Sequence, residues 1–145
     1  MLLTESLKTD VLKNFHAQDF DLAEQKAQFL VNKGFSDPWL CNILAVIFAK
    51  QKKFTLASEY FKILVDLYPE DSENYFNLGN LYRDSEDNDN AIKYYKLSLS
   101  KNSKSYEALM ELSKVFLKEK KIDKAIFYAE KARKIKSYMH EADRI

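Results

Sequence analysis

Leu40, Leu44, Ile47 and Phe48 stand at i, i+4, i+7 and i+8, which places them on one face of a helix. Phe54, Ala57, Phe61 and Leu64 repeat a helical spacing a few residues later, and the polar stretch "AKQKKF" between the two runs predicts a short turn. The pattern over 38–71 therefore reads as helix, turn, helix. The same alternation follows twice more, broken at "DSEDND" and at "KEKKID". Asp37, Asp71 and Ser105 each precede an apolar-periodic segment. Their side-chain oxygens suit an N-cap, where they satisfy an orphan backbone N–H. Pro38 fits the first helical position, where its missing N–H costs nothing, and Pro69 ends the helix before it.

These segments share one register, whose constant step is the interval from Ala57 to Ala91. Ala23, Ala57, Ala91 and Ala125 recur at that step, as do Leu44, Leu78 and Leu112. Ala45, Gly79 and Ser113 align, and so do Phe48, Tyr82 and Phe116, and Phe61, Tyr95 and Ala129. Two short antiparallel helices cannot bury both faces alone; stacking such pairs in a row gives a continuous core. The aligned small residues then mark where helices approach closely, with the aligned large ones filling the space beside them. Gly79 costs its helix roughly 1 kcal/mol relative to alanine, and this register reads it as a packing glycine. A phosphate-binding loop would need several glycines between a strand and a helix.

Composition narrows the picture without redirecting it. With only two glycines and two prolines in 145 residues, a sheet with many tight hairpins is not expected. The net charge of +1 gives no overall pull toward nucleic acid or membrane. Cys41 is alone, so it forms no internal disulfide; among Leu40, Ile43 and Leu44 it reads as a packing residue in a reducing, cytoplasmic setting. "ILAVIFA" at 43–49 is the longest apolar run, far short of the ~20 residues of a membrane span.

The residues now resemble a known family. "YFNLGNLY … AIKYY" sets Tyr75, Leu78, Gly79, Tyr82, Ala91 and Tyr95 at the spacing of the tetratricopeptide repeat, W-x2-L-G-x2-Y followed by A-x3-F and P. The unit before it offers Cys41, Leu44, Ala45, Phe48, Ala57, Phe61 and Pro69; the unit after it offers Leu109, Leu112, Ser113, Phe116 and Ala125. The proline is replaced by Ser103 and Ser137 in these last two units. The resemblance implies an all-α fold, a right-handed α-solenoid of antiparallel helix pairs, as one domain over 1–145. Its units fall at about 3–36, 38–71, 72–105 and 106–139, with the start of a capping helix at 139–145. The first unit is degenerate. Its second half fits through Phe20, Ala23, Ala27 and Leu30; its first half matches Val11, Leu12 and Phe15 to Leu44, Ala45 and Phe48 only if the turn is one residue shorter.

In that family the first helices of the pairs line a concave face that receives an extended peptide or a partner helix. Mapped here, the face takes Trp39, Asn42, Val46 and Lys50, then Phe76, Asn77, Asn80 and Arg83, then Glu107, Met110, Glu111, Lys114 and Lys118. The resemblance implies that the asparagines hold a peptide amide through a donor and an acceptor each. Trp39, Phe76 and Met110 would take apolar side chains, and Arg83, Lys114 and Lys118 would pair acidic groups. The basic clamp with which some relatives bind chaperone tails is not matched: its positions read Asn42, Val46, Asn77, Glu107 and Glu111. The two closing positions are acidic and would repel a carboxylate.

Nothing in the sequence supports catalysis, a metal or another cofactor. His16 and His140 lie far apart in the chain, and "DSEDNDN" lacks the glycine and closing glutamate of a calcium loop. From residue 72 onward there are 15 Lys/Arg against 12 Asp/Glu, a net of +3, against −2 before it. Cations near a helix C-terminus favour the macrodipole, which accounts for "KARKIK" at 131–136 without a nucleic-acid partner. The expected function is a non-catalytic scaffold for a protein partner, with self-association through open repeat ends as a further expectation. The alternative is an N-terminal recognition or assembly arm of a larger enzyme such as a transferase, suggested by the unfinished helical pattern "SYMHEADRI".

Overall fold

The computed structural model describes residues 2–144, with side chains from Glu5 to Arg144. The described residues form eight helices: α1 (Leu2–His16), α2 (Phe20–Asn32), α3 (Pro38–Lys50), α4 (Phe54–Leu67), α5 (Ser72–Asp84), α6 (Asn88–Lys101), α7 (Tyr106–Lys118) and α8 (Ile122–Ala142). Among the described residues there is no strand. Consecutive helices pack as the pairs α1–α2, α3–α4, α5–α6 and α7–α8. The chain divides into two compact units, Met1–Leu67 and Tyr68–Ile145. Within the first, α2 packs on α3; within the second, α6 packs on α7.

The expected N-caps form. Asp37 accepts from the Leu40 N–H at 2.9 Å, Asp71 from Glu73 at 3.0 Å and Ser105 from Ala108 at 3.2 Å. Asp19 and Asp87 cap α2 and α6 in the same way. Ala23, Ala27, Ala57 and Ala91 are fully buried and Ala125 nearly so, as are Leu44, Leu78 and Leu112. Their burial is what the sequence register predicts. A β-carbon built on Gly79 would lie 2.5 Å from the Tyr95 ring, so the fully buried aromatic occupies the space a methyl would need. At the aligned position, Ser113 satisfies its buried hydroxyl by donating to the Ala125 carbonyl at 2.7 Å.

The turns inside the pairs share one backbone device. Gln18, Lys52, Glu86 and Lys120 all have φ near +60°, and they too recur at the step that separates Ala57 from Ala91. In each turn the left-handed residue donates to the carbonyl three residues back, and the next residue donates to the one five back; Lys52→Ala49 (3.0 Å) and Lys53→Phe48 (2.8 Å) are typical. This is a Schellman closure, with the following helix starting two residues beyond the left-handed one. The first pair keeps this length: α1 ends at His16 and α2 begins at Phe20, each one full repeat before its counterpart in α3–α4, Lys50 and Phe54. The shorter turn expected for the degenerate unit is therefore corrected. Asp10, Val11 and Asn14, not Val11, Leu12 and Phe15, align with Leu44, Ala45 and Phe48. The apolar alignment misled because Phe15, one place out of register, packs edge-on against Phe20 with ring centroids 5.5 Å apart.

Helical structure also reaches the segment expected to cap the chain. Residues 139–142 are helical as the last turn of α8, which runs 21 residues without a break. Ser137, standing where Pro69 ends the earlier unit, leaves the helix free to continue. Ile145, the end of that expected segment, lies outside the described residues. Cys41 is half-buried, and burial raises its thiol pKa above the usual value.

Candidate functional site

In the second unit the face expected to bind a partner lies on α5 and α7. Asn77, Asn80 and Arg83 fall at i, i+3 and i+6 on α5; Met110, Lys114 and Lys118 fall at i, i+4 and i+8 on α7. A polar network joins the two helices. The Tyr95 hydroxyl, carried by α6, donates to Asn80 Oδ1 at 2.7 Å. Arg83 Nη1 also reaches that oxygen at 3.3 Å and pairs with Glu111 Oε2 on α7 at 2.5 Å. Arg83 Nη2 holds Asp84 at 3.0 Å, and Lys114 Nζ holds the other Glu111 oxygen at 2.9 Å.

The protonation states follow from this arrangement. Burial opposes ionisation of Glu111, but hydrogen bonds from Lys114 and Arg83 outweigh it and hold its carboxyl below the ordinary value. Burial drives the Tyr95 phenol well above its ordinary pKa, with the Arg83 charge opposing only part of that shift. Tyr95 is thus a neutral donor in this network, neither base nor nucleophile at neutral pH. Among the described residues no group of three His, Cys, Asp or Glu side chains is placed to hold a metal ion.

The expected site residues separate into those the network brings together and those it leaves open. Asn80, Arg83 and Lys114 are members, and Phe76 packs behind them with its ring 5.8 Å from that of Tyr95. Asn77 and Met110 are half-buried, and Lys118 is exposed. Among the described residues Asn77 bonds to no protein group and Lys118 pairs with no carboxylate. Tyr95 and Glu111 carry the network; the sequence pattern placed the first in the core, and put the second on the face but gave it no role beyond a departure from a clamp. The available signal was the polar Asn80 next to a position where an aromatic packs on glycine.

In the first unit, Trp39, Asn42, Val46 and Lys50 lie along one face of α3. The Trp39 ring sits beneath the Lys8 ammonium of α1, 5.1 Å from its centroid, and Lys8 pairs with Asp37 at 2.6 Å. Burial opposes the charge on Asp37, but the bond from Lys8 and the Leu40 N–H keep its pKa low. Trp39 is therefore half-covered by its own chain. Asn42 and Lys50 are exposed and Val46 is half-buried.

Models described as the tetratricopeptide repeat match residues 43–71, 72–104 and 106–138. The chain belongs to the tetratricopeptide-repeat family. Over 104 residues, 67% of its length, it is 34% identical to the anaphase-promoting complex subunit CDC16 of Saccharomyces cerevisiae. Over 61 residues, 42% of its length, it is 36% identical to the UDP-N-acetylglucosamine–peptide N-acetylglucosaminyltransferase of Giardia intestinalis. The chain spans 12% and 4% of these two relatives. Among solved structures, a crystal structure of MamA superposes with a TM-score of 0.82 at 18% identity, covering 94% of this chain and 80% of that one. A MamA fragment from Desulfovibrio magneticus gives 0.84 at 15% identity, covering 92% and 76%. The likeness shows the fold, an all-α solenoid of helix pairs. No helix among the described residues of this tetratricopeptide-repeat protein is long and apolar enough to cross a membrane.

Proposed function

We propose that this tetratricopeptide-repeat chain is a non-catalytic scaffold whose α5–α7 face binds an extended segment of a partner protein, with the four repeats acting as one domain. The observation that carries this reading is a fixed polar network flanked by polar side chains that find no partner among the described residues. Asn80 and Arg83 are held rigid by Tyr95 and Glu111, which lowers the entropic cost of presenting them. Asn77 is free to take a peptide amide, Met110 an apolar side chain and Lys118 a carboxylate. The corresponding face of α3, with Trp39, Asn42, Val46 and Lys50, is assigned the same role. The half-buried lone Cys41 supports a reducing, cytoplasmic setting.

Affinity capture with the full chain tests this, comparing wild type with Asn77→Ala/Lys118→Glu. These positions lie outside the network, so the fold is expected to persist and partner recovery to fall. Unchanged recovery of every partner removes the assignment. Light scattering across a concentration series tests self-association through the repeat ends; a constant mass removes it.

A second reading is favoured by the match to the Giardia transferase: the repeats would be the recognition arm of a larger enzyme. The reading frame beyond codon 145 tests it, since a stop codon there removes the idea.

A further inference from the structure

The basic run "KARKIK" does not stand where a helix dipole would call for it. The dipole acts within the last turn of a helix, and α8 continues to Ala142, so Lys131 to Lys136 lie in its interior, and His140 is the basic residue of its last turn. Local partners account for part of the run: Arg133 pairs with Glu130 at 2.9 Å, and Lys131 and Lys136 lie over the rings of Phe127 and Tyr106. Lys134 meets no carboxylate among the described residues, and neither does Lys104 in the connection before α7. These two lysines flank a single open cavity of about 510 Å³.

The rest of its lining is apolar. Ile135, Tyr138, Met139 and Ala142 complete it, at i, i+3, i+4 and i+7 along α8. Tyr138 is 79% and Met139 62% exposed, the two most exposed large hydrophobic side chains among the described residues. They project because α8 has 21 residues where α6 has 14, so its last turns run past the length of helix that the preceding pair uses. Among the described residues the lining thus combines an apolar stripe with two cations that pair with no carboxylate.

We propose that this cavity binds a short acidic segment of another protein. One large apolar side chain of the segment packs against Ile135, Tyr138 and Met139, and flanking carboxylates pair with Lys104 and Lys134. Charge complementarity selects this occupant. A second copy docked symmetrically on the same patch would bring like-charged lysines together. Single-stranded nucleic acid would use a row of aromatic platforms along a basic track, whereas this lining has one aromatic ring among aliphatic side chains. The site is separate from the α5–α7 face and does not depend on it.

Selection of a random-peptide display library on the immobilised full chain tests the proposal, followed by fluorescence polarisation of the enriched peptides. The expected winners carry Asp or Glu beside Leu, Ile, Phe or Met. Their affinity is expected to fall about tenfold or more for Lys104→Glu/Lys134→Glu, which reverses both rim charges. Met139→Ser removes packing without touching charge and is expected to weaken the same peptides. Asn77→Ala is expected to leave them unaffected, which separates this site from the α5–α7 face. All of these positions lie at the surface or on a helix flank, and circular dichroism confirms that each variant is folded. The proposal is overturned if no acidic–apolar motif is enriched, if the charge-reversed chain binds the winners equally well, or if an oligo-dT probe displaces them and binds more tightly.

Discussion

In α5–α6, Gly79 lies against the Tyr95 ring and Tyr82 stacks on Tyr94 with centroids 5.4 Å apart. In α1–α2, the same register positions hold Val11, Ala27, Asn14 and Lys26. Both pairs are closed by the same Schellman turn, with Gln18 and Glu86 in the left-handed region. The backbone is therefore shared, and the filling is not. Where α5–α6 sets the smallest residue against a large ring, α1–α2 has a fully buried valine and a fully buried alanine at the corresponding positions. Where α5–α6 stacks two rings, Lys26 donates to Asn14 at 2.7 Å. The α3–α4 pair follows the same rule with Ala45 and Phe61, whereas α7–α8 departs from it with two small residues, Ser113 and Ala129. In the first three pairs bulk on one helix is traded for bulk on the other, as close packing requires. What all four pairs share is the turn, while the residues that fill these positions are free to change.

The sharpest way to break this comparison is to put bulk on both sides at once. Gly79→Val in the presence of Tyr95 is expected to cost about 2–3 kcal/mol by overpacking, despite the better helix propensity of valine. Tyr95→Ala alone is expected to cost about 3–5 kcal/mol through the cavity it leaves and through loss of its bond to Asn80. Combining them recreates the Val11–Ala27 pair, and the double variant is expected to lose clearly less than the sum. Urea denaturation of all four chains measures the coupling. Strictly additive losses would mean that the two positions do not share space.

The converse experiment moves the ring pair into the first repeat. Phe48–Tyr60, Tyr82–Tyr94 and Phe116–Tyr128 place aromatic centroids 5.4–5.6 Å apart in three of the four pairs. Asn14→Phe/Lys26→Tyr is expected to stabilise the chain by about 0.5–1.5 kcal/mol, read by the same denaturation curve. No gain would show that the register shared by the backbones does not carry over to the side chains at those positions.

The repeat was legible in the sequence because it depends on periodic volume. The buried alanines, the N-caps at Asp37, Asp71 and Ser105 and the packing role of Gly79 all followed from one constant step along the chain. The first pair was misaligned because its register is held by main-chain hydrogen bonds, which any exposed residue can make, and not by apolar identity. The candidate site was less legible for a related reason. Position on a helix face puts Asn80 and Arg83 on α5 and Lys114 on α7, but it cannot tell whether a polar side chain is free or already bonded. Here Tyr95 on α6 and Glu111 on α7 engage the polar atoms that were expected to meet a partner.

That engagement has a pH signature. Glu111 has a folded pKa below its unfolded value, so its contribution is present above the ordinary carboxylate pKa of about 4.3 and is lost as pH falls through the folded value. The pair is partly exposed, and Glu111→Gln is expected to cost about 0.5–1 kcal/mol at neutral pH. The loss should shrink on acidification below the ordinary carboxylate range, as wild-type Glu111 becomes protonated. Thermal melts of both chains from neutral to acidic pH follow the difference. A gap independent of pH would show that Glu111 acts through packing and not through charge.

The smallest effect tests the shared turn itself. Five Schellman closures occur among the described residues. The one after α2 uses Gly34, at φ +90°, with Gly34 donating to Val31 and Phe35 to Leu30. The four inside the helix pairs use Gln18, Lys52, Glu86 and Lys120 instead, each bearing a β-carbon in a region that disfavours it. Replacing Lys52 by glycine relieves that strain, while the more flexible glycine lowers the free energy of the unfolded chain. The difference is expected to be a net gain of about 0.5 kcal/mol, and Gln18→Gly should give a gain of similar size if the first pair truly has the same turn as the second. Gly34→Ala should go the other way, because its conformation is strained for alanine even though nothing lies within 4 Å of the added methyl. A gain at Lys52 with a loss at Gln18 would separate the two turns and undo the claim that one backbone serves all four pairs.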